Sequence, residues 1–419
     1  MPRTWRALLV ALTAVAAVLL PIGPPAQAAE RVVTYTVVSQ GVVHGDLGQL
    51  AAVAAGTLND ARGWGLGGAL AFQQVPSGGE FTLILAAPSV VGAQSGCDAF
   101  YSCRVGRNVY INDDRWRGAT ATWPHGLATY QQYVITHEVG HWLGLGHRNC
   151  PAGGRLAPAM QQQSIGLQGC LANMWPLIGE REEAGRNMRV AVGWTWIERR
   201  YIDLGQERGP LGGPVTWETP TPYGLGWMQH FNRPDGASIY WSQSTGAHEV
   251  YGLIRTRYGQ VGWELGPLGF PVTGELPTPD GWGRMSHFAG SGGASIYFHP
   301  WTGAHEIYGA IRAQWGALGW ELGPLSYPVT GELPTPGGRG RFNHFAGQGG
   351  ASIYWSPTTG AHEVYGAIRA RWAQLGWEQG ALGFPVSGEY PVPGGRRSDF
   401  EGGSIRWDAA RDVTEVLPR

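Results

Sequence analysis

The sequence predicts an α+β domain followed by a repeat domain of four small helix-plus-β-hairpin units. Three observations carry this. A 57-residue period runs through the second half, in Leu211-Gly-Gly-Pro, Leu268-Gly-Phe-Pro, Leu325-Ser-Tyr-Pro and Leu382-Gly-Phe-Pro. The first half lacks that period and alternates strand-like runs with helical patterns. Within it, one helical stretch carries the string His137-Glu-Val-Gly-His141-Trp-Leu-Gly144-Leu-Gly-His147.

Residues 1–28 read as an export signal outside the fold. Arg3 and Arg6 precede an apolar run from Ala7 to Leu20, and Ala26-Gln27-Ala28 offers a small-x-small cleavage site. An uncleaved anchor is the competing reading, but the run is short for a bilayer. Nothing later in the chain approaches a membrane-spanning length, so the mature chain is expected to be soluble, secreted and without a transmembrane anchor. The formal charge is −1 over the whole chain, and loss of Arg3 and Arg6 makes it −3. That balance supplies no basic footprint for nucleic acid.

The mature first domain spans residues 29–195. Strands are expected at 34–38 and 81–85 around a helix from Leu47 to Arg62, with a third strand at 108–112. The next helix, about 129–143, carries the histidines. Ile135, Val139 and Trp142 share a stripe that should face the core, which turns His137 and His141 toward a cleft. Asp113-Asp114 reads as a solvated turn. A helical pattern from Glu180 to Val190 closes the domain. The four cysteines suit an oxidising compartment. They allow three pairings, of which sequence proximity favours Cys97–Cys103 and Cys150–Cys170.

The repeats fill residues 197–419, as 197–253, 254–310, 311–367 and 368–419. Each reads as a short amphipathic helix opened by Ile197, Ile254, Ile311 or Ile368, a Gly-Pro turn, and then a hairpin such as Ala351–Trp355 with Ala361–Tyr365. One unit is too small for its own core, so neighbours must pack together. His248-Glu249, His305-Glu306 and His362-Glu363 imitate the start of the histidine string but lack its second half. They are expected to make cross-strand hydrogen bonds.

The histidine string has a chemical reading of its own. Residues four apart share a helix face, so His137 and His141 point at a common centre. Gly144 can take a positive φ, letting the chain leave the helix and bring in His147. Three neutral imidazoles with an open fourth position describe a catalytic rather than a structural zinc. Glu138 lies too far round the helix to be a ligand and is placed to reach a water.

This string resembles that of the metzincin zinc endopeptidases. The resemblance implies a zincin-like catalytic domain in which His137, His141 and His147 hold Zn2+. It also implies that Glu138 is the general base, acting on a protein or peptide substrate. Metzincins also set a methionine in a turn beneath the metal; Met160 is the better candidate and Met174 the alternative. Some add a tyrosine ligand two positions later, where this chain has Gln162. The short domain is most similar to snapalysin-type enzymes and to a related family of secreted actinobacterial proteins, although snapalysin-type enzymes use aspartate where this chain has His147. In the class, the strand matching 108–112 is an exposed antiparallel edge on which substrate pairs. The second half resembles the LGFP repeat of bacterial envelope proteins, which implies association with the cell envelope through a wall glycan. Fourteen of the twenty tryptophans lie from Trp194 onward. They serve either as sugar platforms or as the repeats' core.

Overall fold

The computed structural model describes residues 28–419. The export signal expected over residues 1–28 therefore lies, but for Ala28, outside the described residues. Among the described residues, no helix is long and apolar enough to cross a membrane.

The first half is built on a five-stranded mixed sheet. Its strands are β1 (Arg31–Gln40), β2 (Leu70–Gln74), β3 (Phe81–Ala86), β4 (Cys103–Val105) and β5 (Asn108–Asn112), in the order β2-β1-β3-β5-β4. The pairs β1·β2, β1·β3 and β3·β5 are parallel, and only β4 runs antiparallel to its neighbour. Helix α1 (Leu47–Asn59) follows β1, with its first turn capped by Asp46, whose side chain accepts from the amides of Gly48 and Gln49. Two short helices, α2 (Pro88–Gly92) and α3 (Asp113–Gly118), follow β3 and β5. Helix α4 (Leu127–Trp142) bears the histidines, and α5 (Ile178–Met188) closes this half. Ile135 and Val139 are fully buried against Leu50, Leu58, Leu83 and Ile111. Trp142 is half-buried and its ring lies 4.8 Å from that of Phe81.

Two expectations are corrected here. The strand at 108–112 forms, but it is interior, bonded to β3 on one side and β4 on the other. The antiparallel edge is β4, three residues long and so without a readable period. Asp113 is no solvated turn: it is buried, and it accepts from the amides of His44 (2.9 Å) and Gly45 (2.8 Å). Those bonds pin the loop after β1, while Asn112 caps α3.

Both disulfides form, Cys97–Cys103 and Cys150–Cys170. The first ties the loop before β4 to that edge strand. The second closes the segment that follows His147.

The second half comprises four helices, α6 (Trp196–Asp203), α7 (Gly252–Gln260), α8 (Gly309–Ala317) and α9 (Gly366–Gln374), each followed by an antiparallel four-stranded sheet. The sheet is a meander rather than a lone hairpin. In the second repeat its strands are Leu276–Pro277, Arg284–Phe288, Ala294–His299 and Gly303–Tyr308. Each helix from α7 onward is sandwiched between two sheets. Ile311 and Trp315 of α8 share a core with Leu325, Phe345 and Ile353 after them and with Tyr297 and Ile307 before them. Adjacent units thus bury what one unit alone would leave in water.

The His-Glu pairs do not bond across strands. His248, His305 and His362 bond the hairpin-turn carbonyls of Thr245, Thr302 and Thr359 through Nε2. Glu249 and Glu306 accept two bonds each from Arg200 and Arg257 on their own repeat's helix, and Glu363 accepts from Gln314. These carboxylates lock helix to sheet.

The two halves are packed together. Arg181 of α5 is fully buried, pairs with Glu198 of α6, and donates to the carbonyls of Ala61 and Gly193. Thr195 donates to buried Glu218 in the first repeat. Arg62 donates to the Glu218 carbonyl.

Candidate metal centre

Three imidazoles converge where α4 ends. Val139 and Gly140 give the last turn its closing carbonyls, and Gly144, at φ 91°, reverses the chain. An L side chain there would be strained, so the reversal depends on glycine. The turn delivers His147 opposite His141, with the two Nε2 atoms 3.0 Å apart. One ring nitrogen from each of His137, His141 and His147 lies within 4.8 Å of the others. Tetrahedral zinc with Zn–N bonds of about 2.0–2.1 Å needs its nitrogens about 3.3 Å apart, so the set fits with small adjustments. Nickel or cobalt would take the same donors.

Two of the rings are held from behind. His137 Nδ1 lies 2.8 Å from the Ala159 carbonyl and His141 Nδ1 lies 2.9 Å from the Leu145 carbonyl. A carbonyl can only accept, so each Nδ1 carries the proton and each Nε2 lone pair faces the shared centre. Burial, with His141 and His147 nearby, pushes the His137 pKa down to about 3 despite the Ala159 bond. Burial also lowers His141 and His147. The rings are therefore neutral at ordinary pH, the form that donates to a metal. Exposure rises from buried His137 through half-buried His141 to exposed His147, so the centre opens to solvent on one side.

That open side is a cleft of about 360 Å³. One wall is α4 with Tyr133, Val134 and Glu138; the other is the disulfide loop and edge strand, with Tyr101, Cys103 and Arg104. Gln162 and Ile165 line its end. Glu138 is buried, and burial raises its pKa to about 8 while Arg104 pulls the other way. Arg104 also donates to the His141 carbonyl at the end of α4.

The floor is the turn Pro158–Gln161, closed by the Gln161 amide on the Pro158 carbonyl at 3.0 Å. Fully buried Met160 lays its sulfur against α4 at Gly140, where any Cβ would overlap it. Met174 is buried in the main core. Sequence reasoning missed Glu180, which is buried and accepts from the amides of Ala159 (3.0 Å), Met160 (2.8 Å) and Leu177 (2.7 Å). It also missed Arg104. A capping-type Glu three residues after Leu177 is the only local hint of the former.

The four-sheet half is settled by comparison. The model of the LGFP repeat matches residues 211–266, 268–323, 325–380 and 382–417. The C-terminal half of the chain is four LGFP repeats. Each match opens at the Leu-x-x-Pro turn, so the first three take in a sheet and the helix after it. The fourth match, with no helix to follow, is shorter. Residues 16–176 match a family described as a protein of unknown function (DUF3152), which spans the three histidines. Among solved structures, the chain is similar to archaemetzincin from Methanopyrus kandleri. The identity is 14% over 38% of this chain and 96% of that one, with a TM-score of 0.27, too low to fix a fold. No curated protein matches.

Proposed function

We propose that this protein is a secreted zinc endopeptidase, held at the cell envelope by its LGFP repeats. The observation that carries the reading is the convergence of three outward-facing Nε2 atoms with Glu138 on the wall of one open cleft. His137, His141 and His147 would hold the metal. When bound, zinc supplies Lewis acidity, polarising an amide carbonyl and making water acidic near neutral pH.

The chain's own residues do the rest. Burial alone keeps the Glu138 carboxyl protonated near neutral pH. Ionised by the charge of a cation held on the three imidazoles, it takes a proton from the attacking water and passes it to the departing amine, so the C–N bond breaks without releasing an amide anion. Its burial excludes competing solvent from the carboxylate. The edge strand β4, rather than the strand at 108–112, is the backbone against which an extended peptide pairs. The Ala159 carbonyl keeps His137 from rotating away.

A second reading is favoured by the repeats themselves: the substrate is a wall peptide, presented by the envelope to which LGFP repeats attach. The chemistry is the same amide hydrolysis, so only substrate distinguishes the two. Casein and purified wall sacculi, digested in parallel with a chelator control and with Glu138→Ala, test both. Chelator-sensitive hydrolysis of casein, lost in Glu138→Ala, is expected. Release of peptides from sacculi alone would favour the second reading. Hydrolysis of neither would leave an envelope-binding protein without catalysis and overturn the proposal.

A further inference from the structure

Two tryptophans in the repeat domain stand apart. Trp282 is 72% exposed and Trp301 is 90% exposed, whereas every other tryptophan from Trp194 onward is buried or half-buried. Both belong to the second repeat, Trp282 in the turn before Arg284–Phe288 and Trp301 at the tip of the next hairpin. The scaffold does not require them. One period earlier the two positions are Leu225 and Ser244, and one period later Arg339 and Thr358. The strand pairs that flank these turns form in all three repeats.

A row of ring contacts and hydrogen bonds runs from the Trp301 indole to the Trp282 backbone amide. The Trp301 ring lies 5.3 Å from that of His299, which lies 4.5 Å from that of Tyr327 in the third repeat. The Tyr327 hydroxyl bonds Thr278 Oγ1 at 2.8 Å and Asp280 Oδ1 at 2.7 Å. Asp280 Oδ1 also accepts from Thr278 Oγ1 at 2.7 Å and from the Trp282 amide at 3.0 Å. This row, too, is confined to one junction. Asp280, His299 and Tyr327 are replaced by Tyr223, Ser242 and Phe270 a period earlier, and by Gly337, Ser356 and Phe384 a period later. Five coincident departures fall on one spot of a repeating scaffold.

The hydrogen bonds leave two groups to spare. Among the described residues, the hydrogen bonds to the Asp280 side chain all fall on Oδ1, which leaves Oδ2 as an acceptor. The Trp301 amide donates to His299 Nδ1 at 3.2 Å, which leaves Nε2 to carry a proton as a donor with no partner among the described residues. An acceptor and a donor on a stretch of surface that also carries two exposed indoles match the hydroxyls and the C–H faces of pyranoses. A carboxylate as the polar handle favours an uncharged sugar.

We infer that the second and third LGFP repeats form a saccharide site, in which Trp282 and Trp301 stack on uncharged pyranoses of an envelope polysaccharide while Asp280 and His299 bind their hydroxyls. This rests on the envelope-binding reading and names the surface responsible. The test is cosedimentation of the full chain with wall sacculi, before and after mild acid removes their neutral polysaccharide. Wild type, Trp282→Ala/Trp301→Ala and the control Tyr223→Ala, exposed in the first repeat, are compared. Both indoles are exposed, so the double variant should keep the wild-type unfolding temperature. It should lose at least about tenfold in affinity for untreated sacculi, with the control unchanged and stripped sacculi binding neither. Undiminished binding by the double variant would overturn this site and leave the envelope reading standing. Undiminished wild-type binding to stripped sacculi would overturn the ligand class. A wild-type chain that stays in the supernatant throughout would overturn the envelope reading and the site with it.

Discussion

Replacing Glu180 by alanine should weaken the proposed metal site without touching a ligand. Three backbone amides, those of Ala159, Met160 and Leu177, converge on this buried carboxylate at 2.7–3.0 Å. Hydrogen bonds to a charged group contribute about 1.5–3 kcal/mol each, but three on one group are not additive. Glu180→Ala leaves three buried amide donors without a partner, at about 1–3 kcal/mol each and less than additive, so a loss of about 3 kcal/mol or more is expected. Glu180→Gln should be milder. With its amide oxygen at the Oε2 position it still accepts from Ala159 and Leu177, but its NH2 then opposes the Met160 amide. One unsatisfied buried donor costs about 1–3 kcal/mol. The effect should reach the metal because the Ala159 carbonyl orients His137, and loss of such an outer partner lowers metal affinity about 10–100-fold. Urea unfolding followed by fluorescence, with zinc competition against a chromophoric chelator, measures both quantities. A Glu180→Ala chain with the wild-type midpoint and wild-type zinc affinity would refute the reasoning.

The two disulfides should contribute unequally. Their sequence separations are 20 for Cys150–Cys170 and 6 for Cys97–Cys103. Chain-entropy scaling makes these worth about 3 and about 2 kcal/mol. Thermal unfolding of the two double-serine variants should therefore show the larger drop for the 150–170 pair, and the reverse order would contradict the estimate. A pH effect should arise at the junction of the halves. Burial, with Glu198 nearby, raises the Glu218 pKa to about 8 from an ordinary 4.5. A carboxyl raised on folding favours the folded state while it is protonated. That contribution is whole below about pH 4.5 and is lost as pH climbs toward 8. Glu218→Gln should flatten the fall in unfolding temperature across that window, and identical pH slopes for variant and wild type would count against it.

What the sequence disclosed was what is local. The three histidines, Glu138 and Gly144 lie within eleven residues, so helix geometry and one positive-φ turn place them without knowledge of the rest. The disulfide pairs were legible from proximity, and the repeats from their period. The edge of the sheet was not, because strand order depends on long-range pairing and β4 has only three residues. The meander in each repeat was hidden for a similar reason: Leu276–Pro277 is too short to alternate. Glu180 and Asp113 both act on backbone amides distant in sequence, and no side-chain pattern marks such a bond. The saccharide row needed both kinds of information. Its residues stand out only against the other repeats, and its connectivity appears only in three dimensions.

The measurement closest to the central claim is metal content. Full-length protein equilibrated with zinc and exchanged into metal-free buffer should retain one zinc per chain. Glu138→Ala should retain it too, since that carboxylate is assigned to the proton and not to the metal. His141→Ala leaves two ligands where three are needed and should lose most of it. Stoichiometric zinc in the His141→Ala chain would contradict the account.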